Sequence, residues 1–299
     1  MKNAVFIVGP TGVGKTAVAI EVAESLNTEI ISADSRQIYS ELNIGTAVPD
    51  PVQLKRVRHH LLRHRSVSDH YNAGIFEQEA LHVMENLFHK HAALVIAGGS
   101  GLYIQAICQG IDDIPAVDPE IRKVLIDRIE GEGIESLRFE LKKLDPISYK
   151  SIDLKNPKRI LKALEISMTT GKPYSDFLTS VKKSRDFNIL KIGLNMDREL
   201  LYERINQRVE EMMASGLLEE VESSLEFRDL NALNTVGYKE LFDYLDGSYS
   251  LEEAIRLIKR NTRHYARRQL TWFRKDPDVN WFSPLQIPEI IRFVKDAIG

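Results

Sequence analysis

Only one cysteine, Cys108, occurs among the 299 residues, so no disulfide can form within the chain. It sits in the apolar run "GLYIQAICQG" and reads as a buried thiol rather than a reactive one. Long hydrophobic runs are missing too: no stretch approaches the roughly 20 residues that span a bilayer. The first residues enter a strand pattern directly, without the basic region, apolar core and cleavage site of an export signal. The expected setting is therefore reducing and cytoplasmic, with no membrane partner. An excess of positive charge is also lacking. The formal net charge is −3 and the pI about 6.3, so any nucleic-acid binding must come from local basic patches. Internal repeats and low-complexity segments do not occur. What remains is an ordinary balance of 43% hydrophobic and 28% charged residues, enough for one core and a smaller subdomain.

Short apolar runs alternate with helical patterns in the first third. "AVFIVG" (4–9), "EIISAD" (29–34) and "ALVIAGG" (93–99) read as buried strands, with helices from Lys15, over 73–92 and again at "GLYIQAI". Such alternation implies a parallel sheet with helical crossovers. After Gly110 a turn-rich break, "IDDIPAVDPE", leads into helix signals over 118–180, among them "NPKRILKALEISMTTGKP" with Asn156 as cap and Gly171 as stop. "FNILKIGLN" (187–195) looks like a strand rejoining the sheet, and the chain beyond 197 reads as helical over 198–215, 217–227, 236–246 and 250–275. The expectation is an α/β core of residues 1–110 and 187–299, interrupted by a helical domain of residues 111–186.

One stretch, "GPTGVGKT", matches G-x-x-x-x-G-K-[ST] with a strand before it and a helix after it. The fold class is therefore a P-loop NTPase-like parallel sheet with an inserted helical domain and a helical C-terminal region. Gly9, Thr11, Gly12, Val13, Gly14, Lys15 and Thr16 form the candidate phosphate cradle. Backbone N–H groups and the helix N-terminus would wrap a diphosphate, Lys15 would neutralise its oxygens, and the Thr16 hydroxyl would reach Mg²⁺. The loop specifies a phosphate chain, not a triphosphate.

An acid normally ends a neighbouring strand in such enzymes, yet "LVIAGG" ends in glycines. Asp34 is the strand-terminal acid instead. It could be a water-mediated metal ligand, a general base, or a turn cap in "ADSRQ". Ser100 in "GGSGLY" would share the same sheet edge. Arg204 and Arg208 flank the core face of "LLYERINQRVEEMMASG"; periodicity favours surface pairing with Glu211 or another acid over phosphate binding. Residues 256–275 carry eight cations and no acid, with Ile258, Tyr265 and Trp272 recurring every seven residues as an apolar seam. This points to a polyanion, for which tRNA is a plausible example. Smaller basic clusters occur in "KRVRHHLLRHR" and "KRILK". His59 and His60 lack partners at metal-ligand spacing, so a solvated or phosphate-facing role is expected rather than zinc.

Together "GPTGVGKT", "SADSRQIYSELNIGTAVP", "RHHLL", "AGGSGLYIQAI", "NPKRILKALE", "RINQRVEEMMASGLLEEV", "NTVGYKEL" and "TRHYARRQLTWFR" resemble the tRNA dimethylallyltransferase family, in the family's order. The resemblance implies that the cradle holds dimethylallyl diphosphate rather than ATP, with Mg²⁺. It implies a tRNA partner bound through its anticodon stem-loop, whose adenosine 37 leaves the loop and enters a channel. By residue match, Asp34 would take the proton of the adenine amine and Arg208 would stabilise the leaving diphosphate. Ser100, where threonine is more usual, would keep a hydroxyl near the reacting groups. Asp34, Ser35, Arg36 and Gln37 would touch the target nucleotide and its neighbours. Lys158, Arg159 and Lys162 of the inserted domain, with Arg263 and Arg267, would contact the tRNA. Departures include Val48 in place of a lysine and "HHLLRHR" in place of an "HHLID"-like run. A monomer is expected. Prenyl transfer to a free adenine nucleotide, a small-molecule kinase and a non-catalytic RNA-binding module are the alternatives.

Overall fold

A computed structural model describes residues 1–115, 117–179 and 181–299. Ala116, in the turn-rich break, and Ser180, at the end of the helix-rich stretch, lie outside the described residues. The chain divides into two compact units: residues 1–109 with 184–299, and residues 110–183.

The larger unit is built on a sheet of strands β1 (Asn3–Val8), β2 (Ile30–Ser32), β3 (His59–His60), β4 (Ala93–Gly98), β5 (Asn188–Leu194) and β6 (Val279–Phe282), in the order β3-β2-β4-β1-β5-β6, with every pairing parallel. The unbroken apolar runs of β1 and β4 follow from this position, because central parallel strands are covered on both faces. On one face Phe6, Val8 and Ile96 pack with Phe76 and Met84 of helix α3 (Ala73–Phe88) and Ile104 of α4 (Gly101–Gln109). On the other, Val5 and Ile7 pack with Val18 and Val22 of α1 (Lys15–Ser25) and with Ile290 and Val294 of α13 (Ile287–Ile298). A third cluster joins Ile38 and Leu42 to Val209 of α9 (Arg198–Ala214), Leu217 of α10 (Leu217–Glu222), Leu241 of α11 (Tyr238–Leu245) and Ile258 of α12 (Leu251–Phe273).

Three sequence expectations fail here. The chain beyond residue 197 is not wholly helical, because β6 extends the sheet and α13 follows it. The four-residue β6 alternates poorly, with Asn280 and Trp281 exposed, so neither period marks it. The helix expected over 217–227 stops at Glu222 and resumes only as a 3-10 turn at Leu225–Phe227. The short elements α2 (Pro51–Arg56) and β3 were not anticipated; α2 is set by an Asp50–Gln53 capping box.

The smaller unit is helical: α5 (Pro119–Glu132), α6 (Ile134–Leu144), α7 (Pro146–Ser151) and α8 (Pro157–Thr170). Leu125, Leu137, Leu141, Ile160 and Leu164 form its own core. Asn156 caps α8 through the Arg159 N–H, and Gly171 ends it in the left-handed conformation.

Candidate active site

The carboxyl ends of β1, β2 and β4 converge on one edge of the sheet, as ligand sites do in such folds. β1 delivers the P-loop. Gly9 is required there: its φ is +149°, and a Cβ would lie 2.7 Å from the Leu194 carbonyl oxygen on β5. Lys15 begins α1 after Gly14. β2 ends at Ser32, so Asp34 lies just past the strand, in the loop. One of its oxygens does cap the turn, accepting from the Arg36 N–H at 2.9 Å. The capping reading is therefore correct for Oδ1, and the carboxylate still lines two cavities. β4 leads to Ser100, which is buried. Its Oγ accepts from the Ser35 N–H at 2.8 Å and donates to Ser35 Oγ at 3.1 Å, tying two strand-end loops together.

Arg208 resolves the question left by periodicity. It reaches into the site from α9, where its Nη1 donates to Thr11 Oγ1 at 3.3 Å. Burial pulls its guanidinium below the ordinary arginine range, with Asp34 and Glu211 opposing. Lys15 Nζ donates to the Pro10 carbonyl at 2.8 Å. Burial brings this ammonium down to about 8, opposed by Asp34 and reinforced by Arg208. Each of the three groups thus feels the others' charge: one carboxylate faces two cations at low dielectric. Among the described residues neither Lys15 nor Arg208 is in an ion pair, so both are available to an anion.

Three adjoining cavities meet at this point. One of about 510 Å³ is lined by Thr11, Gly14, Lys15, Thr16, Asp34 and Arg204. A second of about 680 Å³ shares Thr11, Asp34, Thr46 and Arg208 with it and continues along Ile205, Val209, Met212 and Ile258. A third of about 480 Å³ holds Ser100, Tyr39, Tyr71, Tyr103 and Trp272, and shares Ser35, Arg36, Tyr265 and Arg268 with the second. The P-loop cavity opens, past the Asp34 carboxylate, into the second cavity, which in turn adjoins the aromatic-lined third.

Sequence reasoning missed several contributors. Gln269 of α12 is buried and crosslinks the site: its Oε1 accepts from the Thr11 N–H and its Nε2 donates to the Gly99 carbonyl, both at 2.8 Å. Nothing in its sequence context marks it. Arg204 lines the cradle rather than pairing at the surface. Tyr265 and Trp272 are not a core seam but cavity lining, and burial beside Asp34 pushes the Tyr265 phenol up to about 12. The spacing had found these residues and misread their face.

Other expected residues are placed differently. Gln37 donates both amide hydrogens to the carbonyls of Thr46 and Ala47, at 3.1 and 2.9 Å. The basic run on α12 is partly neutralised: Arg256 pairs with Glu253, Lys259 with Glu210, and Arg263 donates to Asn206 Oδ1 at 2.6 Å while lying over the Tyr202 ring. Arg267 is exposed. The cluster "KRVRHHLLRHR" is largely tied up in ion pairs of its arginines and hydrogen bonds of its histidines. Arg56 holds Glu21 and Glu24, His60 meets Glu29 at 2.5 Å, and His64 and Arg65 both meet Glu79. His59 Nδ1 bonds the Val57 carbonyl at 2.9 Å, and neither His59 nor His60 lines the three cavities. In the smaller unit Lys158 and Arg159 are exposed. Lys162 is half-buried, and burial lowers its ammonium while Glu165 opposes. Among the described residues no helix is long and apolar enough to cross a membrane.

Comparison with known proteins agrees with this geometry. The family model described as IPP transferase matches residues 37–276. The chain is 54% identical over 295 residues to tRNA dimethylallyltransferase 1 of Bacteroides thetaiotaomicron, covering 99% of this chain and 96% of that one. It is 46% identical to the tRNA dimethylallyltransferase of Cytophaga hutchinsonii, covering 98% and 97%. The crystal structure of a tRNA isopentenylpyrophosphate transferase from Bacillus halodurans superposes with a TM-score of 0.74 at 35% identity, covering 100% of this chain and 97% of that one. A eukaryotic dimethylallyltransferase captured acting on tRNA gives 0.81 at 26% identity, covering 100% and 80%. The cradle, the carboxylate beyond it and these full-length similarities lead to one assignment: the chain belongs to the IPP transferase family.

Proposed function

We propose that the protein transfers a dimethylallyl group from dimethylallyl diphosphate to the exocyclic amine of adenosine 37 in tRNA. The observation that carries the reading is the mutual placement of Lys15, Arg208 and Asp34: two desolvated, unpaired cations on the phosphate side of one carboxylate. A kinase would use such cations on a phosphoryl group. Here the carboxylate lines the second cavity, through which an acceptor amine would reach it from the adjoining aromatic-lined space.

The reaction then balances without a nucleophilic side chain. The amine nitrogen bonds to the allylic carbon, the carbon–oxygen bond to the diphosphate breaks, and Asp34 takes the amine proton. Lys15, Arg208 and the P-loop amides sit where negative charge grows on the leaving diphosphate. Thr16, lining the same cavity, and the diphosphate oxygens are hard oxygen donors that suit Mg²⁺, which would supply further charge neutralisation. The Ser35–Ser100 pair and Gln269 fix the loops that carry these groups. Arg36, Arg268 and Trp272 would receive the extruded nucleotide, and Lys158, Arg159 and Lys162 the tRNA backbone. The enzyme would act as a cytoplasmic monomer.

The deciding experiment incubates the protein with Mg²⁺ and labelled dimethylallyl diphosphate, with unmodified tRNA, AMP or no acceptor. Label is expected in tRNA at adenosine 37. Transfer to AMP but not tRNA would sink the reading, and ATP consumption without prenyl transfer would favour a kinase.

A further inference from the structure

Residues 46–50 form one wall of the P-loop cavity, yet they belong to no helix or strand. Thr46 faces the adjoining cavity as well. A loop with no ladder must satisfy its backbone groups elsewhere. Two side chains do this from outside. Glu220, on α10, accepts from the N–H groups of Asn43, Ile44 and Gly45 at 3.0, 2.8 and 3.0 Å, and from the Tyr238 hydroxyl at 2.5 Å. Gln37 holds the carbonyls of Thr46 and Ala47.

The anchored segment is constrained. Ala47 has a φ of +49°, a region that L-residues avoid. Gly45 lies against the buried Tyr238 ring, 2.5 Å from where a Cβ would stand. Such a conformation persists only when its surroundings over-determine it. Glu220 and Tyr238 line neither cavity, so anything they contribute passes through the loop.

We infer that Glu220 is a positioning residue for the prenyl diphosphate. Its carboxylate gathers three backbone amides and one phenol, and thereby sets the distance between the 46–50 wall and the P-loop. The role rests on the function proposed above. Glu220→Gln keeps the shape but turns an amide NH₂ toward N–H donors, so the loop loses its charge-assisted anchor.

The test uses full-length wild type, E220Q and Y238F. Calorimetry with Mg²⁺ gives the Kd of dimethylallyl diphosphate, steady-state kinetics gives KM for donor and tRNA separately, and thermal unfolding gives Tm. E220Q is expected to raise donor Kd and KM roughly tenfold, the scale of one lost charge-assisted bond, with tRNA KM within about twofold. Y238F removes one of the four donors and should weaken the donor by a smaller factor, roughly two- to fivefold. A folded E220Q with unchanged donor Kd overturns the role, as does an equal rise in both KM values. Should E220Q fail to fold, Y238F decides, and an unchanged donor Kd there overturns the role. A wild type that binds no dimethylallyl diphosphate overturns the functional reading and this role with it. Wild-type binding with unaffected variants overturns the role alone.

Discussion

Two sets of cations distinguish the P-loop site from the outer surface of α12. Lys15 and Arg208 are shielded, unpaired and pulled down by burial. The eight cations of residues 256–275 are more numerous, but Arg256 and Lys259 among them are each already bound to a glutamate of the same or a neighbouring helix. Charge density along the chain therefore says little about readiness to bind an anion. Desolvation without a partner does, because a new negative charge recovers what burial removed.

Removing a site cation should show the contrast most strongly. Arg208→Ala is expected to lower kcat by at least roughly a thousandfold, since it removes a charge aimed at the leaving group. A single-turnover assay with saturating tRNA measures this, and a loss under tenfold would place Arg208 outside the transition state. Asp34→Ala should slow transfer by roughly 10²–10⁴ while tRNA still binds in a filter assay. Unchanged turnover would remove it from the base role.

Lys15 gives a milder, reversible test. Its ammonium titrates at about 8 in the free protein, so it is charged below that pH and neutral above it. Donor affinity should therefore fall as pH rises through about 8, with proton uptake on binding. Calorimetry in buffers of different ionisation enthalpy checks both, and an affinity flat to pH 9 would contradict the assignment. The surface set should give the smallest effects. Arg267→Ala is expected to reduce the slope of log K for tRNA against log salt by roughly one, whereas Arg256→Ala should change it little because Glu253 already holds that charge.

The P-loop was legible because its chemistry is local. A strand, a glycine-rich turn and a helix start lie within consecutive residues, and the motif states its own context. Asp34 and Ser100 could be placed through the rule that ligands gather at the carboxyl ends of parallel strands. Gln269 could not. It bonds Thr11 and Gly99 across sequence separations of 258 and 170 residues, and glutamine in a basic helix carries no mark of that. Periodicity alone set Arg208 at the surface while the family resemblance set it at the diphosphate, because periodicity gives the angle of a side chain around its own helix and not what lies opposite.

By itself, then, the sequence determined the parallel α/β core, the P-loop motif and the family resemblance, all of which rest on neighbours in the chain or on motif order. Tertiary structure alone decided which cations are free, which face of α12 lines the site, and how Glu220 and Gln37 hold the loop opposite the cradle. Those are pairings between residues far apart in sequence, and only the folded chain brings them within hydrogen-bond reach.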